Sequence, residues 1–258
     1  MAIITLTTDL GYKDFYQAAL KGSILNILPN VTIVDVTHEI QAFNISRAAF
    51  ILKNCFSYFP QGTVHLIGID TVYNSDIKYL ALKYRGHYFV GSDNGIFSLI
   101  FDLEAEDIVE INIMQDLKFL HFPLTDILVK AACHLANGGL LREIGIPAND
   151  IVKRINLHPG LEGNQINGCV IFIDSFQNVI TNVTKDFFTS VQQGRKFTLY
   201  LRKQETIKQL SWHYNEVPEG EKLCLFGISN HLEIAINKGN ASGLLGLKIN
   251  DCIKIEFN

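Results

Sequence analysis

The stretch IITLTTDLGYKDFYQAALKG, residues 3–22, decides the class of fold. Apolar and β-branched residues predict a buried strand over Ile3–Thr7, which leads directly to Asp9. Apolar residues at helical spacing then predict a helix over Asp14–Leu28. A buried strand that runs into a helix is the first half of a strand–helix–strand unit, which is typical of α/β folds.

The same alternation continues through the first half of the chain. The sequence predicts further elements in this order: a strand over Thr32–Thr37, a helix from Asn44 to about Phe56, a strand over Thr63–Ile69, a hairpin of Tyr79–Lys83 and His87–Gly91 around Arg85-Gly86, and a helix from Asp126 to about Ala136. Asn44 or Ser46 is suited to cap the second helix. Apolar strands that alternate with helices predict a mostly parallel sheet covered on both faces, in an N-terminal α/β domain over residues 1–155.

After Pro159 the pattern consists of strands separated by turns. The predicted strands are Asn167–Asp174, Val179–Val183, Lys196–Leu201, Leu223–Gly227, Leu232–Asn237 and Cys252–Phe257. Turn-forming sequences such as Pro218-Glu219-Gly220 lie between them. The sequence therefore predicts a smaller, all-β domain over residues 160–258.

Composition excludes several classes of function. Hydrophobic residues make up 48% of the 258 residues and charged residues 19%, which is enough apolar material for a large core. The net charge is −4, and lysines and arginines form no run, so neither nucleic acid nor a membrane surface is an expected partner. No apolar stretch reaches the ~20 residues that span a bilayer, and the chain begins in a strand without a basic leader. We expect a cytoplasmic protein.

The five cysteines lie far apart in the sequence and form no C-x-x-C pair. This spacing argues against a disulfide framework and against a zinc cluster. Buried, reduced thiols are the expected state.

Polar side chains follow several predicted strands of the N-terminal sheet. They are Asp9 after the first strand, Asp35 to Glu39 around the end of the second, Asp70 after the third, and Asp93-Asn94 after the hairpin. Ligands of open α/β sheets bind at the carboxyl ends of strands, so these groups predict a site. The chain has neither G-x-x-x-x-G-K-[ST] nor G-x-G-x-x-G, which argues against a phosphate cradle. Carboxylates instead suit a ribose diol or an ammonium group.

Two assignments at this edge stay open. Asp14 either belongs to the site or stabilises the first turn of the predicted helix. His38, at the end of the second strand, is either structural or catalytic. The acids are not at metal-ligand spacing and no H-E-x-x-H motif is present, so we expect no metal and no resident cofactor.

A second polar cluster lies in the C-terminal domain, in the sequence FIDSFQNVITN. It places Asp174, Phe176 and Asn178 between two predicted strands. These residues either form an ordinary turn or recognise a base, since an asparagine amide pairs with an adenine edge and a phenylalanine ring offers a stacking face.

The chain resembles the S-adenosyl-L-methionine (SAM) hydroxide adenosyltransferases, which are related to the SAM-dependent fluorinase and chlorinase. The resemblance rests on six stretches that occur in order between about residues 5 and 255: TLTTDLGYKD, LKGSILNILPNVTIVDVTHEI, FPQGTVHLIGID, HYFVGSDNGIF, IDSFQNVITN and LEIAINKGNASGLLG. Together these stretches are specific to the family, whereas none would be alone.

The resemblance implies a trimer of two-domain subunits, an α/β domain and a β-barrel-like domain, with substrate sites between subunits. It implies that Asp9 holds the ribose hydroxyls and that Asp14 and Asp174 contact the methionine end. It places Phe176, Asn178 and Tyr214 around the adenine. SAM is then the substrate or ligand, with Asn94 among the residues that line its site.

The sequence departs from the family pattern at the catalytic step. The family stretch Asp-Pro-Gly-Val-Gly-Thr-x-Arg reads DTVYNSDI here, which keeps Asp70, places Ile77 at the arginine position and is followed by Lys78. The stretch Phe-His-Gly-Arg-Asp reads FPLTD here, which places Pro123 at the histidine position, two residues after His121. Only Asp70 of an Asp-Arg-His set is therefore matched.

The resemblance leads to one main hypothesis and to alternatives. The main hypothesis is an enzyme that cleaves SAM with water at the ribose 5′ carbon, giving adenosine and methionine, with Asp70 as the catalytic residue. The alternative is a SAM- or adenosine-binding protein whose catalysis is lost or redirected. Halogenation is disfavoured because Tyr73 would crowd a halide. The family's Ser-Ser-Gly before a late strand reads Ile228-Ser229-Asn230 here, which keeps Ser229 but weakens one carboxylate contact.

Overall fold

The computed structural model describes residues 2–71, 77–101, 105–114, 116, 121–202 and 205–258. The chain folds into two units, Met1–Ile155 (unit 1) and Asn156–Asn258 (unit 2). Each unit has buried hydrophobic clusters of its own.

Unit 1 contains one seven-stranded sheet and four α-helices among its described residues. Its elements are β1 (Ile3–Thr8), α1 (Tyr16–Ile27), β2 (Thr32–Thr37), α2 (Ile45–Cys55), β3 (Val64–Gly68), β4 (Tyr79–Tyr84), β5 (His87–Ser92), α3 (Ile96–Ile100), β6 (Asp107–Ile111), α4 (Ile127–Ala136) and β7 (Gly145–Pro147). The strand order is β2-β1-β3-β5-β4-β6-β7.

The sheet of unit 1 is mixed, so the prediction of a mostly parallel sheet is wrong. Strands β2, β1, β3 and β5 pair in parallel, whereas β4, β6 and β7 join by antiparallel pairing. The reversal begins at the hairpin, where Arg85 and Gly86 have φ angles of +49° and +77°. A two-residue turn of this kind can only join antiparallel strands, and β6 then pairs antiparallel with β4 and β7 antiparallel with β6.

Strand alternation divides the core of unit 1 between the two faces of the sheet. On β3, Leu66 packs in the cluster that includes α1 and α4, while Ile67 packs in the cluster that includes α2 and α3. At the start of α2, the Asn44 Oδ1 accepts a hydrogen bond of 3.0 Å from the Arg47 amide, which confirms Asn44 as the cap. Helix α1 begins at Tyr16, two residues later than predicted.

Unit 2 is built on a nearly barrel-shaped antiparallel sheet. Its elements are β8 (Gly160–Glu162), β9 (Gln165–Ile173), β10 (Val179–Thr184), α5 (Lys185–Gln192), β11 (Phe197–Tyr200), β12 (Thr206–Ile207), β13 (Lys222–Phe226), β14 (His231–Ile236), α6 (Ala241–Leu245) and β15 (Cys252–Phe257). The strand order is β12-β11-β15-β9-β10-β14-β13, and β8 pairs with β9. A bridge between Leu210 and Cys224 brings the two ends of this order together.

Two helices show that the prediction of an all-β domain is wrong. The Thr184 hydroxyl accepts a hydrogen bond from the Phe187 amide and so begins α5, which places Phe188 and Val191 in the core. A helix of eight residues is too short to give a clear helical period in the sequence, which is why the pattern did not reveal it. In the described part of the chain, no helix has both the length and the apolar character that crossing a membrane requires.

Candidate functional site

The carboxyl ends of β1, β2 and β3 meet at one edge of unit 1. The Asp9 amide donates to the Gly68 carbonyl at 3.3 Å, and the Gly11 amide donates to the His38 carbonyl at 2.7 Å. These backbone bonds join the segments that follow the three strands. The predicted convergence of polar strand ends is therefore present.

Asp9 lies at the centre of this edge and is half-buried. Its Oδ2 accepts a hydrogen bond of 2.9 Å from the amide of Phe43, a residue with a φ angle of +65°. The second carboxylate oxygen has no hydrogen-bond partner among the residues described, so it is open to a ligand. Asp9 thus orders the loop before α2 and keeps one acceptor for a hydroxyl group.

The His38 ring contacts side chains from the ends of β1 and β2. Its Nδ1 lies 2.6 Å from the Thr8 hydroxyl and its Nε2 lies 3.1 Å from Asp35 Oδ1, and Lys21 Nζ donates to the other Asp35 oxygen at 2.6 Å. The His38 ring is fully buried, and burial lowers its pKa. For Asp35, burial acts to raise the pKa, but hydrogen bonds from Lys21 and His38 outweigh it and lower the pKa. A fully buried ring favours the structural alternative for His38.

Asp14 is exposed and precedes α1. Phe15 occupies the N-cap position, no side chain caps the helix, and no acid lies in its first turn. No hydrogen bond or ion pair within the described ranges holds the Asp14 carboxylate. The structure therefore gives no support to the helix-stabilising alternative and leaves Asp14 available to a ligand.

Asp70 and Asn94 lie at the ends of neighbouring strands. Asp70 follows β3 with a φ angle of +50°, which is a conformation that aspartate and asparagine adopt more easily than most residues. Asn94 Nδ2 donates to the Ile69 carbonyl at 2.9 Å, and Asn94 Oδ1 accepts from the Ile96 amide at 3.2 Å. The Asn94 side chain is therefore engaged in holding the backbone immediately before Asp70.

Lys78 and His121 are the basic residues that lie near the unmatched arginine and histidine positions in the sequence, and no described contact brings either of them to Asp70. Lys78 Nζ donates to Glu110 Oε2 at 2.6 Å, and this hydrogen bond raises the pKa of Lys78. His121 is exposed, and Pro123 is buried at the start of a 3₁₀ turn. Tyr73, with the rest of residues 72–76, lies outside the described residues.

In unit 2, the turn between β9 and β10 is closed by Asp174 and Asn178. Asp174 Oδ1 accepts from the Asn178 amide at 2.8 Å, and Asp174 Oδ2 accepts from Asn178 Nδ2 at 3.1 Å. Phe176, at the tip, is 80% exposed. The Asp–Asn bonds agree with the turn alternative, while the exposed ring keeps the stacking alternative open.

Tyr214 contacts a residue that sequence reasoning missed. Its hydroxyl donates to Glu233 Oε1 at 2.7 Å, and Glu233 is 6% exposed. Burial raises the pKa of Glu233, and the hydrogen bond from Tyr214 opposes this shift. Burial and the hydrogen bond to Glu233 raise the pKa of Tyr214, to which the charge of Asp174 adds. These three side chains form one interacting group.

Strand alternation and a neighbouring glycine together explain how the Glu233 side chain is accommodated. Within β14, Leu232 and Ile234 face the core, so alternation turns Glu233 to the opposite face of the strand. A β-carbon at Gly227 would lie 2.6 Å from Glu233 Oε2, so only glycine fits there without a shift. The sequence feature that could have revealed Glu233 is the single acid inside the otherwise apolar run LEIAI.

Exposed apolar side chains lie in the same part of unit 2. Trp212 is 91% exposed, and Ile228 is 89% exposed beside Ser229. Ser229 itself is half-buried, and its carbonyl accepts a hydrogen bond of 2.7 Å from His231 Nδ1. The described residues include no group of three or more His, Cys, Asp or Glu side chains arranged to hold a metal.

Comparisons with known proteins agree with the resemblance seen in the sequence. The model of the SAM hydroxide adenosyltransferase N-terminal domain matches residues 4–145, and that of the C-terminal domain matches residues 168–254. A Methanocaldococcus jannaschii protein named (R)-S-adenosyl-L-methionine hydrolase is 30% identical, over 99% of this chain and 96% of its own. A Thermus thermophilus protein of the same name is 28% identical, over 96% and 97%.

More distant and structural matches extend the same pattern. A protein from Actinoplanes sp. named fluorinase is 25% identical, over 70% of this chain and 71% of its own. The crystal structure of an uncharacterized conserved protein from Thermotoga maritima has a TM-score of 0.88 and 28% identity, and the match covers 98% of this chain and 99% of that one.

Proposed function

The chain belongs to the SAM hydroxide adenosyltransferase family, and from this premise we propose that it binds SAM and cleaves it with water to adenosine and methionine. The observation that carries the proposal is the nearly full-length match to a relative named (R)-S-adenosyl-L-methionine hydrolase. The chemistry of the two polar clusters supports it, since carboxylates suit a ribose diol and an ammonium group, and aromatic rings suit a base.

The proposed reaction is a displacement at the ribose 5′ carbon. A bond forms between the water oxygen and this carbon, while the carbon–sulfur bond breaks and its electron pair leaves with methionine. The sulfonium departs as a neutral thioether, so no general acid is required. Asp70 accepts the proton that water releases, and the site contributes alignment of the water behind the carbon.

The substrate-binding roles follow the two clusters. Asp9 holds the ribose hydroxyls through its open oxygen, and Asp14 binds the ammonium group of the methionine end. In unit 2, Phe176 stacks on the adenine, and Asn178 and Tyr214 line it. The remaining contacts of the methionine end come from Asp174 and Ser229, and Asn94 fixes the backbone before Asp70.

We also propose that the protein is a cytoplasmic homotrimer with each site shared between neighbouring subunits. Exposed aromatic side chains support an interface at this edge: Tyr12 and Phe15 are close to Asp14 in the chain, and the Phe43 amide contacts Asp9. Light scattering of the purified protein should give the mass of three chains. A monomer would contradict a shared site.

The test of the reaction uses both epimers of SAM at the sulfonium centre. The protein is incubated with each epimer, and adenosine and methionine are followed by chromatography against a no-protein control. We expect release from the (R) epimer, in line with the name of the relatives. If neither epimer releases adenosine and methionine, the hydrolase proposal is overturned.

One observation favours a binding protein as the second candidate. Lys78, which follows the position of the family's arginine, is paired with Glu110, while Ile77 and Pro123 occupy the arginine and histidine positions. Calorimetry with SAM and with adenosine separates the candidates. Binding without adenosine release would identify the binding protein, and no binding of either compound would overturn the assignment of the site.

A further inference from the structure

Two cysteines that are distant in the sequence lie opposite each other in unit 2. Cys169 of β9 is registered directly against Cys252 of β15 in an antiparallel pair. The sequence expectation of separate, buried thiols is therefore wrong for these two, because Cys252 is exposed and Cys169 is half-buried. Strand pairing brings together residues that spacing along the chain keeps apart.

The backbone pattern shows that this pair is of the closely spaced type. The Cys169 amide donates to Asn182 Oδ1 at 2.8 Å, on the side of β10, and so points away from β15. Opposite residues that do not exchange backbone hydrogen bonds have Cα atoms about 4.5 Å apart. Disulfides span Cα separations of about 4.4–6.8 Å, so the Cα spacing expected for this type of pair suits a disulfide without a change of register.

Both thiols open onto a single cavity on the outer face of the sheet. Burial alternates along both strands, and the buried positions next to the two cysteines are Gly168, Val170 and Ile253. Because neighbouring residues of a strand face opposite sides of the sheet, Cys169 and Cys252 face outward. The cavity has a volume of about 530 Å³, and its lining includes His158, Arg202 and Lys254. Arg202 is paired with Asp251, and Lys254 Nζ lies 3.8 Å from Glu256 Oε2 and 5.5 Å from the centre of the Tyr200 ring. Basic side chains next to a thiol pair favour a small disulfide that carries carboxylates.

We propose that Cys169 and Cys252 form a redox-active pair, which an anionic, low-molecular-weight disulfide oxidises to a cross-strand disulfide. This inference does not depend on the proposed hydrolase activity. The Cys252 thiolate attacks one sulfur of the small disulfide, which forms a mixed disulfide and releases one small thiolate. Cys169 then attacks the Cys252 sulfur, which forms the protein disulfide and releases the second. Two protein thiols are oxidised, and one small disulfide is reduced to two thiols.

The environment of the two thiols sets the order of attack. Burial and the neighbouring Cys252 raise the pKa of the Cys169 thiol, so Cys169 is a poor first nucleophile. Cys252 is the exposed member and meets the small disulfide first. Cys169 acts second, when the mixed disulfide holds its target sulfur across the strand pair.

The experiment treats the reduced, full-length protein with oxidised glutathione under native conditions. We expect the protein to lose two of its five free thiols and two hydrogen masses, with a single cross-linked peptide pair that contains Cys169 and Cys252. Cys169→Ser should stop at a glutathione adduct on Cys252. Cys55→Ser is the matched control, because Cys55 is also half-buried but lies in unit 1, and it should form the cross-link at the rate of the unaltered protein.

A second comparison tests the role of the basic lining. Lys254→Gln should slow the reaction with oxidised glutathione while leaving the reaction with the neutral hydroxyethyl disulfide unchanged. Equal slowing with both reagents would overturn the proposed preference for an anionic disulfide. A protein that keeps both thiols, or that cross-links only between chains, would overturn the pair itself.

Discussion

The two polar clusters differ in how far their side chains are already engaged. At the strand edge of unit 1, Asp14 has no partner among the described residues, and Asp9 accepts one backbone hydrogen bond. In unit 2, Asp174 accepts two hydrogen bonds from Asn178, and Tyr214 donates to Glu233. A ligand would meet open carboxylates in the first cluster and a pre-formed network in the second.

Because of this difference, we expect one cluster to contribute mainly to ligand binding and the other to the stability of the fold. Side chains that are held before a ligand arrives lose little freedom on binding, and their bonds contribute to the folded state. Open carboxylates contribute mainly when a ligand is present. Substitutions at the edge of unit 1 should therefore change binding or turnover, whereas those in the network of unit 2 should change the free energy of unfolding.

The largest effect is expected for Asp70→Asn. Loss of the group that accepts the proton should lower kcat by about 10²–10⁴-fold, the usual contribution of general base catalysis. Asparagine tolerates the positive φ angle at this position, so folding should be retained. Adenosine release at saturating SAM measures the rate, and calorimetry should show an unchanged Kd. An undiminished rate would remove Asp70 from the reaction.

Acidification should distinguish the interiors of the two units. In unit 1, burial, with a smaller effect of nearby His87, lowers the pKa of His65 to about 3. Unfolded His65 binds a proton below about pH 6.5, so the free energy of unfolding should fall by up to roughly 4 kcal/mol as the pH falls from about 6.5 toward 3. Glu233 in unit 2 has a raised pKa, so its contribution changes in the opposite direction and falls as the pH rises through that pKa.

Hydrogen exchange of peptides from each unit, measured between pH 7 and pH 4, tests this contrast. Protection should be lost first around β3 and β5, where His65 Nε2 lies 3.2 Å from His87 Nδ1. His65→Gln should flatten the pH dependence, and His121→Gln, at an exposed position, should not. Simultaneous loss of protection in both units would contradict the assignment to His65.

Tyr214→Phe should destabilise unit 2. The substitution leaves the buried Glu233 without its hydroxyl donor, which costs about 1–3 kcal/mol when the acceptor is ionisable. Urea unfolding measures the cost. In a Glu233→Gln background the same substitution should cost less, and an equal cost in both backgrounds would show that the hydrogen bond is not its source.

Asp9→Asn should weaken the binding of SAM by about 1–3 kcal/mol, the scale of a hydrogen bond to a charged group. The amide oxygen of asparagine can still accept from the Phe43 amide, so the loop and the melting temperature should change little. Calorimetry measures the affinity. An unchanged affinity would mean that Asp9 does not hold the ribose.

The smallest effect is expected for the stability of Asp14→Ala. Since α1 does not use this carboxylate, the free energy of unfolding should change by less than about 0.5 kcal/mol. Asn44→Ala is the matched control, because Asn44 does cap its helix and its loss should cost about 1 kcal/mol. Similar costs for the two variants would show that Asp14 has a structural role.

Local sequence signals predicted the elements better than their pairing. The bounds of Thr32–Thr37 and Cys252–Phe257 are as predicted, and the Asn44 cap and the Arg85-Gly86 turn are present, because each depends on neighbouring residues. The antiparallel addition of β6 and β7 was not predictable, because these strands pair through contacts between distant segments.

The candidate site shows the same limit. Asp9 and Asp70 could be predicted as site residues because ligands of open α/β sheets bind at the carboxyl ends of the strands. Glu233 was missed because its role depends on contacts between distant residues: it accepts a hydrogen bond from Tyr214 and occupies the space that Gly227 leaves. Register alone places Cys169 against Cys252, and no spacing rule could have joined them.

The bridge between Leu210 and Cys224 has a consequence for aggregation. Unpaired strand edges are templates on which copies of a protein add to one another, and closing a sheet on itself removes them. Within the described part of unit 2, this bridge connects the ends of the strand order and shields them. In unit 1, β7 is short and ends in Pro147, which has no amide hydrogen, whereas β2 is a six-residue edge. At high concentration, β2 is therefore the strand through which we expect copies to associate.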